Sequence, residues 1–245
     1  MSDLQIDFYE KDGVCADVLT FPDRSPDRLI ALLHGYQGDR FSNREFGVKL
    51  LESEPRAAVA VLDGLEPVPG RGDDRIRQWW DLPPFDGKLY SFRPCYAPKA
   101  VRPALRRIVE GAGKAADRLG PFMRRLMSFC GVRRLIPCGI SQGGITAAEM
   151  TLFRHDLDDV TAALVLIGAG LPDPDRLEDA DSRPFPVLLA GGWRDGIFPR
   201  TVYAFSTAVL KAAGYRVENT VADSDHFGLE HAVAPAVGAF LRTLK

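Results

Sequence analysis

Five short stretches of the chain are almost continuously apolar: residues 29–34 (LIALLH), 57–62 (AAVAVL), 134–138 (RLIPC), 162–167 (AALVLI) and 186–190 (PVLLA). A strand with one face in water alternates polar and apolar residues. A stretch that does not alternate is buried on both faces, which is the condition of a strand inside a parallel sheet. This pattern restricts the fold more than anything else in the sequence. Residues 215–221 (YRVENTV) do alternate and read as a strand nearer an edge. Residues 5–9 and 14–20 read as a β-hairpin across Lys11-Asp12-Gly13. Helix candidates fill the gaps. They are residues 43–51 behind Ser42 as N-cap, 142–154, 200–212, 228–242, and 99–119, where Val101, Leu105, Ile108, Val109, Ala112 and Ala116 recur near helical period. Residues 121–130 are expected to form a separate helix, because Gly120-Pro121 breaks the pattern. Strand–helix alternation of this kind implies an α/β fold with a mostly parallel central sheet and helices on both faces. With no linker and no internal repeat, residues 1–245 read as one domain.

One segment resists the alternation. Residues 63–98 hold six prolines and the aromatics Trp79, Trp80, Phe85, Tyr90, Phe92 and Tyr96. Long irregular segments in a compact domain usually serve function, so this one is read as a lid or a pocket wall. The remaining composition excludes more than it suggests. A net charge of −2 with interspersed signs gives no reason to expect nucleic acid or an anionic membrane as partner. The pairs Arg106-Arg107, Arg124-Arg125 and Arg133-Arg134 read as solvated helix faces and ends rather than an anion site. No apolar run of about 18 residues predicts a membrane span, and the acidic N-terminus does not resemble a secretion signal. Cys15, Cys95, Cys130 and Cys138 form no CxxC pair, and with four histidines they make no zinc pattern. They are expected to be free thiols in a reducing, cytoplasmic setting.

Ligands of open parallel sheets bind at the carboxyl ends of the strands. Here those ends carry HGYQGD, DGLEP, GISQGG, GAGLPDPD, GGWRDGIFP and ADSDHFGLE. Gly139-Ile140-Ser141-Gln142-Gly143 fits G-x-S-x-G, in which glycines permit a sharp strand-to-helix turn that lifts the serine hydroxyl off the sheet. A serine hydroxyl needs a neighbouring base to act as a nucleophile. Of His34, His155, His226 and His231, His226 lies in the loop after the last strand, on the same edge as Ser141. The base needs an acid to fix its tautomer. Asp195 follows the strand at 186–190 and gives the order Ser–Asp–His, with Asp173 and Asp175 as rivals. An acyl-transfer oxyanion needs two convergent N–H donors. The Gln142 backbone supplies one at the helix start, and the His34-Gly35-Tyr36 turn can supply the other from Tyr36.

Taken together, LLHGYQGD, RQWWDL, GISQGG, GGWRDGIFP and SDHFGLEHA resemble the α/β-hydrolases of the carboxylesterase/lysophospholipase group, which includes acyl-protein thioesterases. The resemblance runs over nearly the whole chain. It implies an α/β-hydrolase fold with Ser141 as nucleophile, Asp195 as acid and His226 as base, and with oxyanion N–H groups from Tyr36 and Gln142. It implies no metal and no organic cofactor. The activity it implies is cleavage of a small-molecule carboxylic ester or thioester with an apolar acyl group, through an acyl-enzyme. Trp79 and Trp80 are expected to wall the acyl site, with Phe198 and Phe227 as further wall candidates. The sequence departs from the group at Ile140, where phenylalanine is common, at Gln37, often glycine, at Asp225, usually glycine, and in the charged stretch between Leu62 and Arg75. An acyltransferase or perhydrolase using the same triad, or a non-catalytic binding protein on the same fold, are the alternatives. A homodimer is compatible with the sequence, which does not fix an oligomeric state.

Overall fold

The computed structural model describes residues 3–82, 102–171, 173–177 and 184–244. Residues 5–20 form the expected hairpin, with strands β1 (Gln5–Lys11) and β2 (Val14–Thr20) in antiparallel register, Lys11 opposite Val14. Asp12 and Gly13 make the two-residue turn at φ 53° and 72°. Positive φ at both central positions is what a type I′ turn needs to match the twist of its strands.

The apolar stretches become β3 (Arg28–Leu33), β4 (Ala57–Leu62), β7 (Leu135–Ile140), β8 (Leu164–Ile167) and β9 (Pro186–Gly192). Every residue of β3, β4 and β7 is buried. The alternating stretch becomes β10 (Arg216–Ala222), at the edge of the sheet and mostly exposed. The eight strands run in the order β1-β2-β4-β3-β7-β8-β9-β10, parallel from β4 to β10. Two short strands, β5 (Glu66–Pro67) and β6 (Arg77–Gln78), pair separately.

Helices α1 (Arg44–Ser53) and α5 (Leu229–Thr243) cover one face. Helices α2 (Arg102–Cys130), α3 (Gln142–Leu152) and α4 (Arg200–Ala212) cover the other. The strand pleat feeds both cores. Leu29, Ala31 and Leu33 of β3 pack with Ile108 and Leu119 of α2, while Ile30 and Leu32 pack with Phe46 of α1 and Phe240 of α5. Among the described residues, no helix is long and apolar enough to cross a membrane.

The expected break at Gly120-Pro121 is absent: α2 is one helix of 29 residues with Pro121 inside it. Its apolar stripe runs on through Leu119, Phe122, Met123, Leu126 and Met127, all buried, so packing holds both halves on one axis. Pro121 and Asp117 face solvent, where water can satisfy the Asp117 carbonyl that lacks its N–H partner. The arginine pairs are largely engaged by surface carboxylates. Arg107 pairs with Asp81, Arg124 with Asp159, Arg125 with Asp12 and Arg134 with Asp27. Phe85, Tyr90, Phe92, Tyr96 and Cys95, and with them residues 83–98 of the segment read as a lid or pocket wall, lie outside the described residues.

Candidate active site

Strand β7 ends at Ile140 and helix α3 begins at Gln142, leaving Ser141 alone to turn the chain. Its backbone sits at φ 52°, ψ −114°, a conformation that L-residues adopt only under constraint. Two things impose it. The Ser141 N–H donates to the Ile167 carbonyl of β8 at 2.8 Å. The flanking glycines let backbones touch: a Cβ on Gly139 would collide with the Gly143 carbonyl oxygen and the Gly144 Cα, and one on Gly143 with the carbonyl oxygens of Leu33 and His34. No side chain larger than hydrogen fits at either place.

His226 stands in the loop between β10 and α5. Its Nε2 lies 2.9 Å from Ser141 Oγ, and its Nδ1 lies 2.9 Å from Asp195 Oδ2. Asp195, in the loop after β9, is buried. Its Oδ1 accepts from the Ile197 and Phe198 N–H groups at 2.9 and 2.8 Å, and the Tyr203 hydroxyl donates to Oδ2 at 3.2 Å. Burial alone would raise this carboxyl. The hydrogen bonds from His226 and the Phe198 and Ile197 amides outweigh it and hold the acid below the usual carboxylate range. The Tyr203 hydroxyl is pushed up by burial and by the charge of Asp195, so it stays a donor. Tyr203 sits a helical turn into α4 and left no signal in the sequence.

Asp173 lies just before the 3₁₀ helix Pro174–Leu177, which also contains Asp175; Asp195 is the carboxylate hydrogen-bonded to the imidazole. His155 pairs with Asp158 at the surface, and His231 sits beside Glu230. Asp225 is exposed and its Oδ1 accepts from the Phe227 N–H, away from the imidazole. His34 is buried, and burial pushes it down to about 4, so it is neutral. Its Nδ1–H donates to the Gly35 carbonyl at 2.7 Å. That bond shapes the turn carrying Tyr36.

This turn lies against the serine: a Cβ on Gly35 would sit 3.5 Å from Ser141 Cβ. Residue 77 pins it, with the Gln37 N–H donating to the Arg77 carbonyl and the Arg77 N–H to the Gly38 carbonyl. Gln37 adopts φ 67°, in the left-handed region that glycine enters most readily. Gln142 is the first residue of α3, so its N–H has no acceptor within the helix. Among the described residues, no hydrogen bond engages the Tyr36 N–H.

A cavity of about 590 Å³ opens beside Ser141. Leu82, Ile145, Ile197 and Phe198 give it an apolar wall, and Ser42, Asn43 and Glu230 a polar one. Tyr36 and Phe227 line it too, both exposed. Phe198 is buried and stacks on the His226 ring at 5.7 Å, while Phe227 meets the ring edge-on.

Trp79 and Trp80 do not line this cavity, contrary to expectation. Their rings are 1% and 4% exposed. Trp79 packs on His34, and its Nε1–H donates to the His34 carbonyl at 2.8 Å; the Trp80 Nε1–H donates to Thr146 Oγ1 at 3.1 Å. Both indole donors are thus satisfied inside the core, which fixes the rings there. What the pair reaches is Gln142. The Trp79 N–H donates to Gln142 Oε1 at 3.0 Å, and Gln142 Nε2–H donates to the Trp80 carbonyl at 2.8 Å. The sequence pointed to the Gln142 backbone alone; its buried side chain also braces the start of α3.

A scan of the sequence against family models finds no match, and neither does a comparison with curated proteins. Solved structures do match. Esterase PE8 superposes with a TM-score of 0.73 at 20% identity, over 99% of each chain. SOBER1 of Arabidopsis thaliana gives 0.65 at 16% identity, over 90% of this chain and 98% of that one. The Bacillus cereus carboxylesterase gives 0.63 at 15% identity, over 99% and 95%. With the sheet order above, these likenesses place the chain in the α/β-hydrolase fold.

Proposed function

We propose that this α/β-hydrolase fold carries a serine hydrolase that cleaves carboxylic esters or thioesters of small molecules. The observation behind the reading is the relay from Ser141 Oγ to His226 Nε2 and from His226 Nδ1 to Asp195, each link 2.9 Å, with the serine on a strained turn. Ser141 Oγ attacks the acyl carbon and passes its proton to His226 Nε2. Asp195 holds Nδ1–H and stabilises the imidazolium. The oxyanion accepts from the backbone N–H groups of Tyr36 and Gln142. When the intermediate collapses, His226 protonates the leaving alcohol or thiol, and the acyl group stays on Ser141. Water, activated by His226, attacks the acyl-enzyme and frees the acid. The apolar wall of Leu82, Ile145, Ile197 and Phe198 suits an apolar acyl group. Phe198, stacked on the imidazole, also holds the base in place.

A fluorophosphonate probe should label Ser141, and Ser141→Ala should lose the label and about 10³-fold or more in kcat on a p-nitrophenyl ester. Asp195→Asn should lose about 10²-fold or more, and Asp175→Asn little. An unlabelled Ser141, or equal losses from the two aspartate variants, would sink the assignment. Among the described residues, Cys15, Cys130 and Cys138 are free thiols.

A further inference from the structure

Among the described residues, the cavity beside Ser141 is charged on one side only. Among its described lining residues, Glu230 is the one carboxylate, and no lysine or arginine takes part. Glu230 is the second residue of α5, four after His226. Its side chain is about one-fifth exposed, and its ionic neighbour is His231, with Nε2 at 3.7 Å. Beyond that ring, Lys49 Nζ lies 3.4 Å from His231 Nδ1, but Lys49 already pairs with Glu45 at 2.8 Å. Around that ring, two carboxylates, Glu45 and Glu230, face one ammonium group, Lys49. The rings of Tyr36 and Phe227, on the same cavity, are 37% and 80% exposed and offer π-faces to a cation.

We propose that Glu230 sets the charge preference of the site, favouring esters whose group beside α5 is neutral or cationic and disfavouring those with a carboxylate or phosphate there. The inference rests on the ester-cleaving reading. A carboxylate in the first turn also complements the helix dipole. That role predicts lower stability on neutralisation but no change in substrate charge preference. In a partly solvated cleft, a unit charge several ångströms from Glu230 should feel an effect on the order of five- to tenfold.

The experiment compares two acetate esters of matched shape: the choline ester, and the 3,3-dimethylbutyl ester, in which carbon replaces the quaternary nitrogen. The readout is the ratio of their kcat/KM values at low salt and at high salt, for wild type and Glu230→Gln, with Glu230→Asp as a second variant should Glu230→Gln fold poorly. The expected wild-type ratio favours choline about five- to tenfold and shrinks in high salt. Glu230→Gln should bring it towards one, and Glu230→Asp should keep part of it. A wild-type ratio of one, or a ratio unchanged in Glu230→Gln while the melting temperature falls, overturns the proposal and leaves the dipole role. Absence of turnover on both esters, together with no fluorophosphonate label, overturns the ester-cleaving reading, and this proposal with it.

Discussion

Gln142 makes three attachments that differ in chemistry. Its N–H belongs to the proposed oxyanion site, its Oε1 takes the Trp79 N–H, and its Nε2 serves the Trp80 carbonyl. Truncation to alanine spares the first and orphans two buried backbone groups. Gln142→Ala should therefore cost about 1–3 kcal/mol of stability, read as a lower denaturation midpoint, and a smaller loss of kcat than Ser141→Ala. An unchanged midpoint would mean that residues 79–80 hold their place without the clamp. Ser141, His226 and Gln142 could be named from the sequence, and Asp195 put ahead of its rivals Asp173 and Asp175, because a turn, a loop after a strand and a chain order each leave a local mark. The Gln142 clamp could not. It joins residues 63 positions apart, and no periodicity encodes that distance. The tryptophans misled for a related reason: aromatic residues serve pockets and cores alike, and only their indole partners, His34 and Thr146, decide between the two.

At the level of elements, the crossing of α3 over β3 and β7 is the tightest backbone approach at the site. Gly143 presses on the carbonyls of Leu33 and His34, and Gly139 on α3 itself. Gly143→Ala has no flexible side chain to displace, so the helix must lift from the sheet. The variant should lose several kcal/mol of stability, on the scale of overpacked cores, and should lose esterase activity even where it folds, because Gln142 is the adjacent residue. A melting temperature within a degree or two of wild type would refute this account. The hairpin and the parallel strands were legible, since their patterns are short-ranged and strong. Helix α2 was misread at Pro121 because local chemistry argues for a break there, whereas the stripe from Leu105 to Met127 gains more by staying on one axis against the sheet.

The whole molecule brings residues 141, 195 and 226 together from the carboxyl ends of β7, β9 and β10 of one sheet, so the site exists only when β7, β8, β9 and β10 are assembled. Cysteine chemistry can report that assembly. Cys138 lies on central β7, fully buried, and burial pushes its thiol far above the ordinary range; Cys130 is pushed up to about 11 by burial and by Asp7. Both should resist a thiol reagent at pH 8 in the native protein and react in denaturant, as followed by mass spectrometry of digested samples. Modification of Cys138 should track the loss of esterase activity during unfolding. Rapid labelling of Cys138 in active protein would contradict the burial described for β7.

The sequence by itself determined the parallel sheet, the hairpin, the strained serine turn and the residues at the carboxyl ends of the strands. Each of these follows from burial period, turn stereochemistry or chain order, which act over a few residues. Only the tertiary structure decided which carboxylate holds His226, where the tryptophans sit, that α2 runs through its proline, and that Glu230 charges the cavity. Those outcomes depend on which distant groups burial brings within hydrogen-bond or Coulomb reach of one another, and no local pattern records that.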